Sequence, residues 1–572
     1  GPWGKPTTAE AADPRDNATV EPMEKLFAEW KKAGLIDERG SRELNAQMRK
    51  TGEDALTAIA EYEKTFARKD GEPYQAQSDM IGLDVMIERR GGKLVPVIIE
   101  VNDHDSGGQY NLDQMHPEKS GEHSREWVAT MIQRARRDAL KGKRILLVGA
   151  GYEGKRPIFL RAKELGVKVV LAGPRSEFVN SLLKDGLVDE YIETDNTKVK
   201  EARDVIRKKL LRSARKNGKL DGLTTFWEDD VELTALLSED LKLPYHSHKA
   251  ATSSRSKFET QSVLKSAGKR AARHEILYNL SKANSASTRA EMIARFRVAA
   301  ERVGYPAVLK PVSGAAAIGT EKVNSIEEAV SAYERISALV NPKTDPIFAL
   351  NSDLLLMQYL NGKEYDVDVV MVKGEPVFTS VTDNKPTREP SFLATGSRLP
   401  STLSAKDQKE AVEQAIESAQ ALGLTDGVLH MEGKVTSDGP RLIEANARMG
   451  GTYVHEWVKA VWGVDLAEEG LMAAAGIGGK PFKPAQPLIH LDGDFYNADK
   501  PGTIKAIVIP DEVKAMPGFV RIREAKHVGD KITLEENGGY ARVLMIEAGG
   551  ANAEEAHRNL EAIRAKIKVV IE

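Results

Sequence analysis

A chain of 572 residues, 41% hydrophobic and 29% charged, has the make-up of a soluble globular protein of roughly three to five domains. A net charge of −3 excludes nucleic acid or an anionic membrane as the main partner, and no apolar run reaches the roughly 18–20 residues that span a bilayer. The absence of cysteine excludes disulfides, thiolate catalysis and cysteine metal sites. With no secretory signal either, a cytoplasmic location is expected.

The chain opens on Gly1-Pro2, which reads as a tag-cleavage scar, so the natural N-terminus is expected to be missing. Residues 1–20 are rich in Pro, Ala and Asp and are expected to be disordered. Residues 41–66 read as an amphipathic helix, 82–102 as two strands around Gly91-Gly92, and 121–140 as a helix. From Lys143 the chain alternates apolar strands (RILLV, VKVVLAG, a short one at 190–192, LDGLTTF) with helices, the pattern of a doubly wound parallel sheet. Gly149, Gly151 and Gly154 superficially match a dinucleotide fingerprint. Such a turn more often serves tight backbone packing than nicotinamide binding. Residues 250–300 read as mostly helical. YPAVLK at 305–310 is a short apolar strand ending in Lys310, followed by the flexible run Ser313–Gly319. Residues 325–340 read as a helix, 353–360, 365–371 and 376–382 as strands, and 405–423 as a helix. The last segment, about 477–572, reads as a small α+β cap with strands at IKAIVI and RVLMIEA and a helix at 553–566.

The stretch 427–451, GVLHMEGKVTSDGPRLIEANARMGG, carries the most chemistry. It reads as strand, turn, strand and a glycine-rich loop. Glu444 and Asn446 are two apart and project from one face. A turn at 437–440 brings Glu432 beside them. Two carboxylates and an amide oxygen on a rigid ribbon suit Mg²⁺, which wants hard oxygen ligands and keeps room for water and substrate phosphates. Arg448 follows as a fork-shaped cation for phosphate or carboxylate oxygens.

From Lys257 to Gly451 the order of parts resembles the ATP-grasp ligases. The resemblance implies the following roles. Lys257 and Lys310 bind phosphates. Ser313, Gly314, Ile318 and Gly319 belong to a mobile loop whose backbone N–H groups cover them. Gln358, Tyr359 and Leu360 form the hinge that meets adenine, and Glu364 holds the ribose. Glu432, Glu444 and Asn446 bind the metal, and Arg448 is catalytic, beside the transferred phosphoryl group. EVNDHD at 100–105, residues 220–244, KEYDVDVV at 363–370, DNKPTR at 383–388 and RLIEANARMGG at 441–451 narrow the resemblance to the L-amino-acid ligase group and its carnosine-synthase branch. Asp383, Arg388, Gly450 and Gly451 are then the expected substrate residues, ATP and Mg²⁺ (with Mn²⁺ as an alternative ion) the cofactors, and two amino acids the partners. A carnosine-like dipeptide from β-alanine, or another small amino acid, and L-histidine is the implied product, and a homo-oligomer is expected. Ala447 departs from the proline more usual before the arginine. A purine-biosynthesis or carboxylase type of ATP-grasp enzyme, and a nucleotide-binding scaffold without turnover, are the alternatives.

The hairpin has an upstream echo. Glu88 and Glu100 are 12 apart, as are Glu432 and Glu444, and Asn102 follows Glu100 as Asn446 follows Glu444. The expected architecture is therefore an α/β and α+β multidomain chain. It comprises an N-terminal region at 1–140 with a degenerate ATP-grasp-like half and a Rossmann-like domain at 141–255. An ATP-grasp domain at 256–475, with a phosphate-loop subdomain at about 290–360, and the cap at 476–572 follow.

Overall fold

A computed structural model describes the backbone of residues 83–90 and 93–101, and residues 132–572 except 315–316, 345–347 and 349–350. Strands β1 (Leu83–Arg90) and β2 (Lys93–Val101) pair antiparallel. Their register opposes Glu88 to Val95 and Glu100 to Asp84. Glu88 and Glu100 share the spacing of Glu432 and Glu444, but the two are not cross-strand partners. Asn102, the helix at 41–66 and the first part of the helix at 121–140 lie outside the described residues. Residues 132–140 are helical.

After Lys143 the chain builds a parallel sheet from β3 (Arg144–Val148), β4 (Lys168–Gly173), β5 (Glu190–Glu193) and β6 (Gly222–Thr224), in the order β5-β4-β3-β6. Alternate side chains of a strand point to opposite faces. Ile145 and Leu147 accordingly pack with Ile158, Phe159 and Leu182, while Leu146 and Val148 pack with Ile206, Leu210 and Leu237. Helices thus cover both faces, as the run of apolar residues predicts. Arg136 reaches Glu469 at 2.7 Å with both side chains buried, and Arg137 reaches Glu468 at 2.7 Å. These pairs, with Arg161 on Glu468, fasten the region to the helix Leu466–Ala474.

A second, antiparallel sheet follows, made of β7 (His274–Leu277), β8 (Ala307–Pro311), β9 (Glu321–Val323) and β10 (Leu354–Gln358), ordered β7-β10-β8-β9. Helices Ala286–Val303 and Ile326–Leu339 pack on it, with Phe296 and Tyr333 stacked at 4.5 Å between centroids. Residues 250–300 are mostly helical, as expected, with β7 as the one strand among them. β7 pairs with the apolar β10, so tertiary pairing makes a strand where local preference is weak. The subdomain therefore starts near 274, ahead of the expected 290.

The central sheet runs β15-β14-β11-β12-β13-β16-β20-β18. Its members are β11 (Lys363–Val372), β12 (Glu375–Asn384), β13 (Gly396–Leu399), β14 (Gly427–Thr436), β15 (Gly439–Asn446), β16 (His490–Asn497), β18 (Phe519–Glu524) and β20 (Arg542–Gly550). The helix Ala405–Leu422 lays Ala411, Ala415, Ala419 and Leu422 against Val367, Val369, Leu429 and Met431; alanines at this spacing form one face and let helix and sheet approach closely. The C-terminal segment adds more strands than the two expected. β17 (Gly502–Val508), β19 (Lys531–Ile532) and β21 (Lys568–Ile571) form a separate three-stranded sheet. β16, β20 and β18 instead continue the central sheet through the β13–β16 pairing. Among the described residues, no helix is long and apolar enough to cross a membrane.

Candidate functional site

β14 and β15 pair with Glu432 directly opposite Glu444, and a register shift follows immediately between Glu432 and Gly433. Asn446, two residues beyond Glu444, donates from Nδ2 to Glu432 Oε1 at 3.2 Å and to the His430 carbonyl at 3.2 Å. Its Oδ1 accepts from Arg448 at 3.3 Å. The three expected metal residues therefore converge on one ribbon. They line a cleft of about 350 Å³ between the two antiparallel sheets, with Lys257, Lys310 and Glu364 also in its walls.

The electrostatics fit a cation and a polyanion. Burial, and then Glu444 across the ribbon, push Glu432 up to about 7. Burial would raise Glu444 as well, but Lys257 and Lys310 override it and hold that carboxyl below its usual value. Lys257 sits at the first position of the helix Lys257–Ser266, whose start is capped by Ser256. Its Nζ lies 3.2 Å from Glu444 Oε1 and donates to the Gly314 carbonyl at 3.1 Å, tying the helix to β15 and to the segment after β8. Lys310, on β8, is buried and depressed to about 8, by burial first and then by Lys257. A lysine held below its usual pKa gains when a phosphate enters beside it. Two opposed carboxylates, one of them pushed up by the other, form a donor set that a hard divalent cation satisfies.

Most of the remaining expected residues meet in the same cleft. Gly314, Ile318, Gln358, Tyr359, Leu360, Glu364 and Arg448 all line it. Ser313 and Gly319 belong to the loop without lining the cleft. At the hinge, the N–H groups of Gln358 and Tyr359 donate to Arg273 and Pro306, whereas that of Leu360 has no partner among the described residues, a geometry open to an adenine acceptor. Glu364 is raised above its usual value by burial and lies 3.6 Å from Lys434. Arg448 is held by Glu228 of the first domain at 2.9 Å.

The expected substrate residues are not gathered there. Asp383 turns to the 401–402 segment, accepting from the Thr402 N–H and hydroxyl at 2.6 Å. Arg388 faces Asp499 at 2.8 Å and Glu535 at 3.8 Å. Gly450 lies behind the ribbon, where a Cβ would come within 2.8 Å of His430 Nδ1, and Gly451 faces open space. The glycine turn of the first domain is closed too. A Cβ on Gly149, at φ +76°, would fall 1.7 Å from Asp230 Oδ2. Burial pushes that acid up to about 6, and a carboxyl pressed on the turn leaves no room for a pyrophosphate.

The cleft and the sheet beside it also contain residues that the sequence pattern left unmarked, Lys434 in the lining and His430 buried next to it. His430 and Lys434 flank Glu432 at two-residue spacing, which puts all three on one face; that signal was available. His430 bonds Asp368 at 2.8 Å. Burial alone would lower its pKa, but Asp368 and Asp366 raise it to about 9. Lys434 stands over Tyr359 and Phe392. Tyr540 and Arg542 enter from about a hundred residues downstream, with no local motif to announce them.

Comparison with known proteins agrees with this geometry. Residues 303–456 match the model of the ATP-grasp domain, residues 159–245 that of the ATP-grasp N-terminal domain, and residues 495–572 that of L-amino acid ligase C-terminal domain 2. Carnosine synthase 1 of Homo sapiens is 30% identical over 480 residues, covering 80% of this chain and 56% of that protein. The chain thus spans little more than half the length of that curated relative. The alanine–anticapsin ligase of Bacillus subtilis is 23% identical over 381 residues, 61% of this chain and 77% of its own. Among solved structures, the L-amino acid ligase from Bacillus licheniformis shares the fold with a TM-score of 0.59 at 20% identity, over 75% of this chain and 99% of that one.

Proposed function

The chain belongs to the ATP-grasp family, and on that premise we propose that it is an ATP-dependent carboxylate–amine ligase that joins two amino acids into a dipeptide. The observation that carries the reading is the opposition of Glu432 and Glu444 in a cleft that also holds Lys257 and Lys310. The match of residues 495–572 to an L-amino acid ligase domain supports amino acids as substrates.

In this reading the carboxylate of the first amino acid attacks the γ-phosphate, forming an acyl phosphate and ADP. The amine of the second attacks the acyl carbon, the C–N bond forms, and phosphate leaves. Such chemistry needs positioning and charge neutralisation more than covalent help. Lys257 and Lys310 hold the phosphates. Glu432, Glu444 and Asn446 would hold Mg²⁺, which neutralises charge on the transferring group when bound. Arg448, fixed by Glu228, stabilises the oxyanion that develops at the acyl carbon. The segment at Gly314, whose carbonyl accepts from Lys257, helps limit water that would hydrolyse the acyl phosphate.

The carnosine-like product, from β-alanine and L-histidine, rests on the likeness to carnosine synthase 1. A phosphate-release screen of amino-acid pairs tests both levels. ADP and phosphate are expected with β-alanine or a similar small amino acid plus L-histidine. Activity with an unrelated pair alone would remove the product assignment and keep the ligase. Release that ignores added amino acids would remove the ligase.

A further inference from the structure

Arg542, the first residue of β20, is the part of the cleft that the scheme above leaves without work. Its guanidinium carbon lies 3.3 Å from the centroid of Phe495 and 5.2 Å from that of Tyr540. Its Nε is buried with no hydrogen-bond partner, and among the described residues it makes no ion pair. The acid whose charge reaches it, Glu535, is already committed. Glu535 Oε1 accepts from the Ala541 N–H at 2.8 Å, and Oε2 lies 3.8 Å from Arg388. Stacking occupies the face of a guanidinium and leaves its N–H edge available, which matches a planar oxyanion. Arg542 lines the cleft, and its guanidinium makes no hydrogen bond or ion pair among the described residues; a cation so placed calls for an anionic ligand.

The ligand is not the nucleotide's phosphate chain. Lys310 is on β8 of the four-stranded sheet, whereas Arg542 is on β20, five strands from β14 in the central sheet. The two cations therefore line different parts of one cleft. Dipeptide synthesis brings two carboxylates into the site. One is activated beside the phosphates, where its C–O bond to phosphate later breaks as the C–N bond forms. The other passes unchanged into the product and needs a counter-ion away from the metal ribbon.

We infer that Arg542 seats this second carboxylate, that of the amine-donating amino acid, and so selects amino acids over simple amines; the inference rests on the ligase reading above. Arg388, one of the expected substrate residues, instead pairs with Asp499 at 2.8 Å and lies 3.8 Å from Glu535.

The test compares L-histidine with histamine, which differ only in the carboxylate, as amine donors with β-alanine and ATP. If the screen returns another amine donor, that amino acid and its decarboxylated amine replace them. In Arg542→Ala, kcat/KM for the amino acid should fall about 100-fold and that for the amine less than about 3-fold, the scale of a lost charge-assisted contact. Arg542→Lys, which keeps the charge, should recover part of the difference. KM for ATP and β-alanine should stay within about 2-fold of the wild-type value. An equal fall with both amines, or an unchanged ratio in a protein that still makes peptide, would overturn the inference and leave the ligase standing. A wild-type enzyme that uses no amino-acid pair would remove the ligase reading, and this inference with it.

Discussion

Two hairpins in this chain carry glutamates 12 residues apart, and only one of them opposes its acids. In β14–β15 the turn at Ser437-Asp438 falls near the midpoint between Glu432 and Glu444, and the two meet across the ribbon. In β1–β2 the strands flank Gly91-Gly92, well short of the midpoint between Glu88 and Glu100, so Glu88 faces Val95 and Glu100 faces Asp84. Spacing in sequence fixes a strand's faces, whereas the position of the turn fixes which residues meet. The surroundings differ as well. β14 lies between β15 and β11 in an eight-stranded sheet, while β1 and β2 form a sheet of two.

The comparison predicts unequal damage. Glu444→Gln should leave the fold intact and lower kcat by roughly 10²–10⁴-fold, because the metal ribbon loses a charged ligand while the chain loses no packing. Circular dichroism and steady-state turnover at saturating Mg²⁺ check this, and near-normal turnover would sink the metal assignment. Lys310→Ala should weaken ATP binding by about 10–100-fold, the scale of a desolvated charge-assisted contact. Unchanged affinity by calorimetry would count against a phosphate role for β8.

The functional hairpin is also pinned at its entry. His246 is buried and accepts from the Thr425 N–H at 3.0 Å, just before β14. Burial lowers its pKa from 6.5 to about 3, so the folded state favours the neutral ring. The stability it contributes is fully present above pH 6.5 and is lost as pH falls towards 3. By pH 5 the loss is about 2 kcal/mol. His246→Asn keeps an acceptor without titrating, so melting at pH 7.5 and pH 5 should show a smaller acid loss in the variant. Equal losses would remove His246 from the account. The smallest effect is expected at the other hairpin. Glu100→Gln should change turnover by less than about 2-fold, and equilibrium titration should give one nucleotide per chain. Two nucleotides, or damage equal to that of Glu444→Gln, would make the two hairpins functional equivalents.

The site was legible where chemistry and period coincide. Glu432, Glu444, Asn446 and Arg448 sit on strand spacing beside a turn, and Lys310 ends an apolar strand before a glycine loop, so local pattern located them. Asp383 and Arg388 were expected at the substrate from resemblance alone, with no geometric constraint, and the fold turns both towards other partners. Arg542 was invisible for the opposite reason. Its place depends on β16 and β20 joining the central sheet, a non-local pairing that no window of sequence encodes. β7 was missed likewise, since its four residues HEIL become a strand only by pairing with β10.

The continuity of that eight-stranded sheet has a mechanical meaning. Glu432 and Arg542 belong to strands of one hydrogen-bonded sheet, so the floor that carries the metal ribbon and the C-terminal wall is stiff as a unit. Lys310 and the hinge residue Gln358 belong to the other sheet, joined to the floor through short segments on either side of 274 and 358. A tilt of the smaller sheet over the larger one would open the cleft without changing the separation of Glu432 and Arg542, which belong to the same sheet.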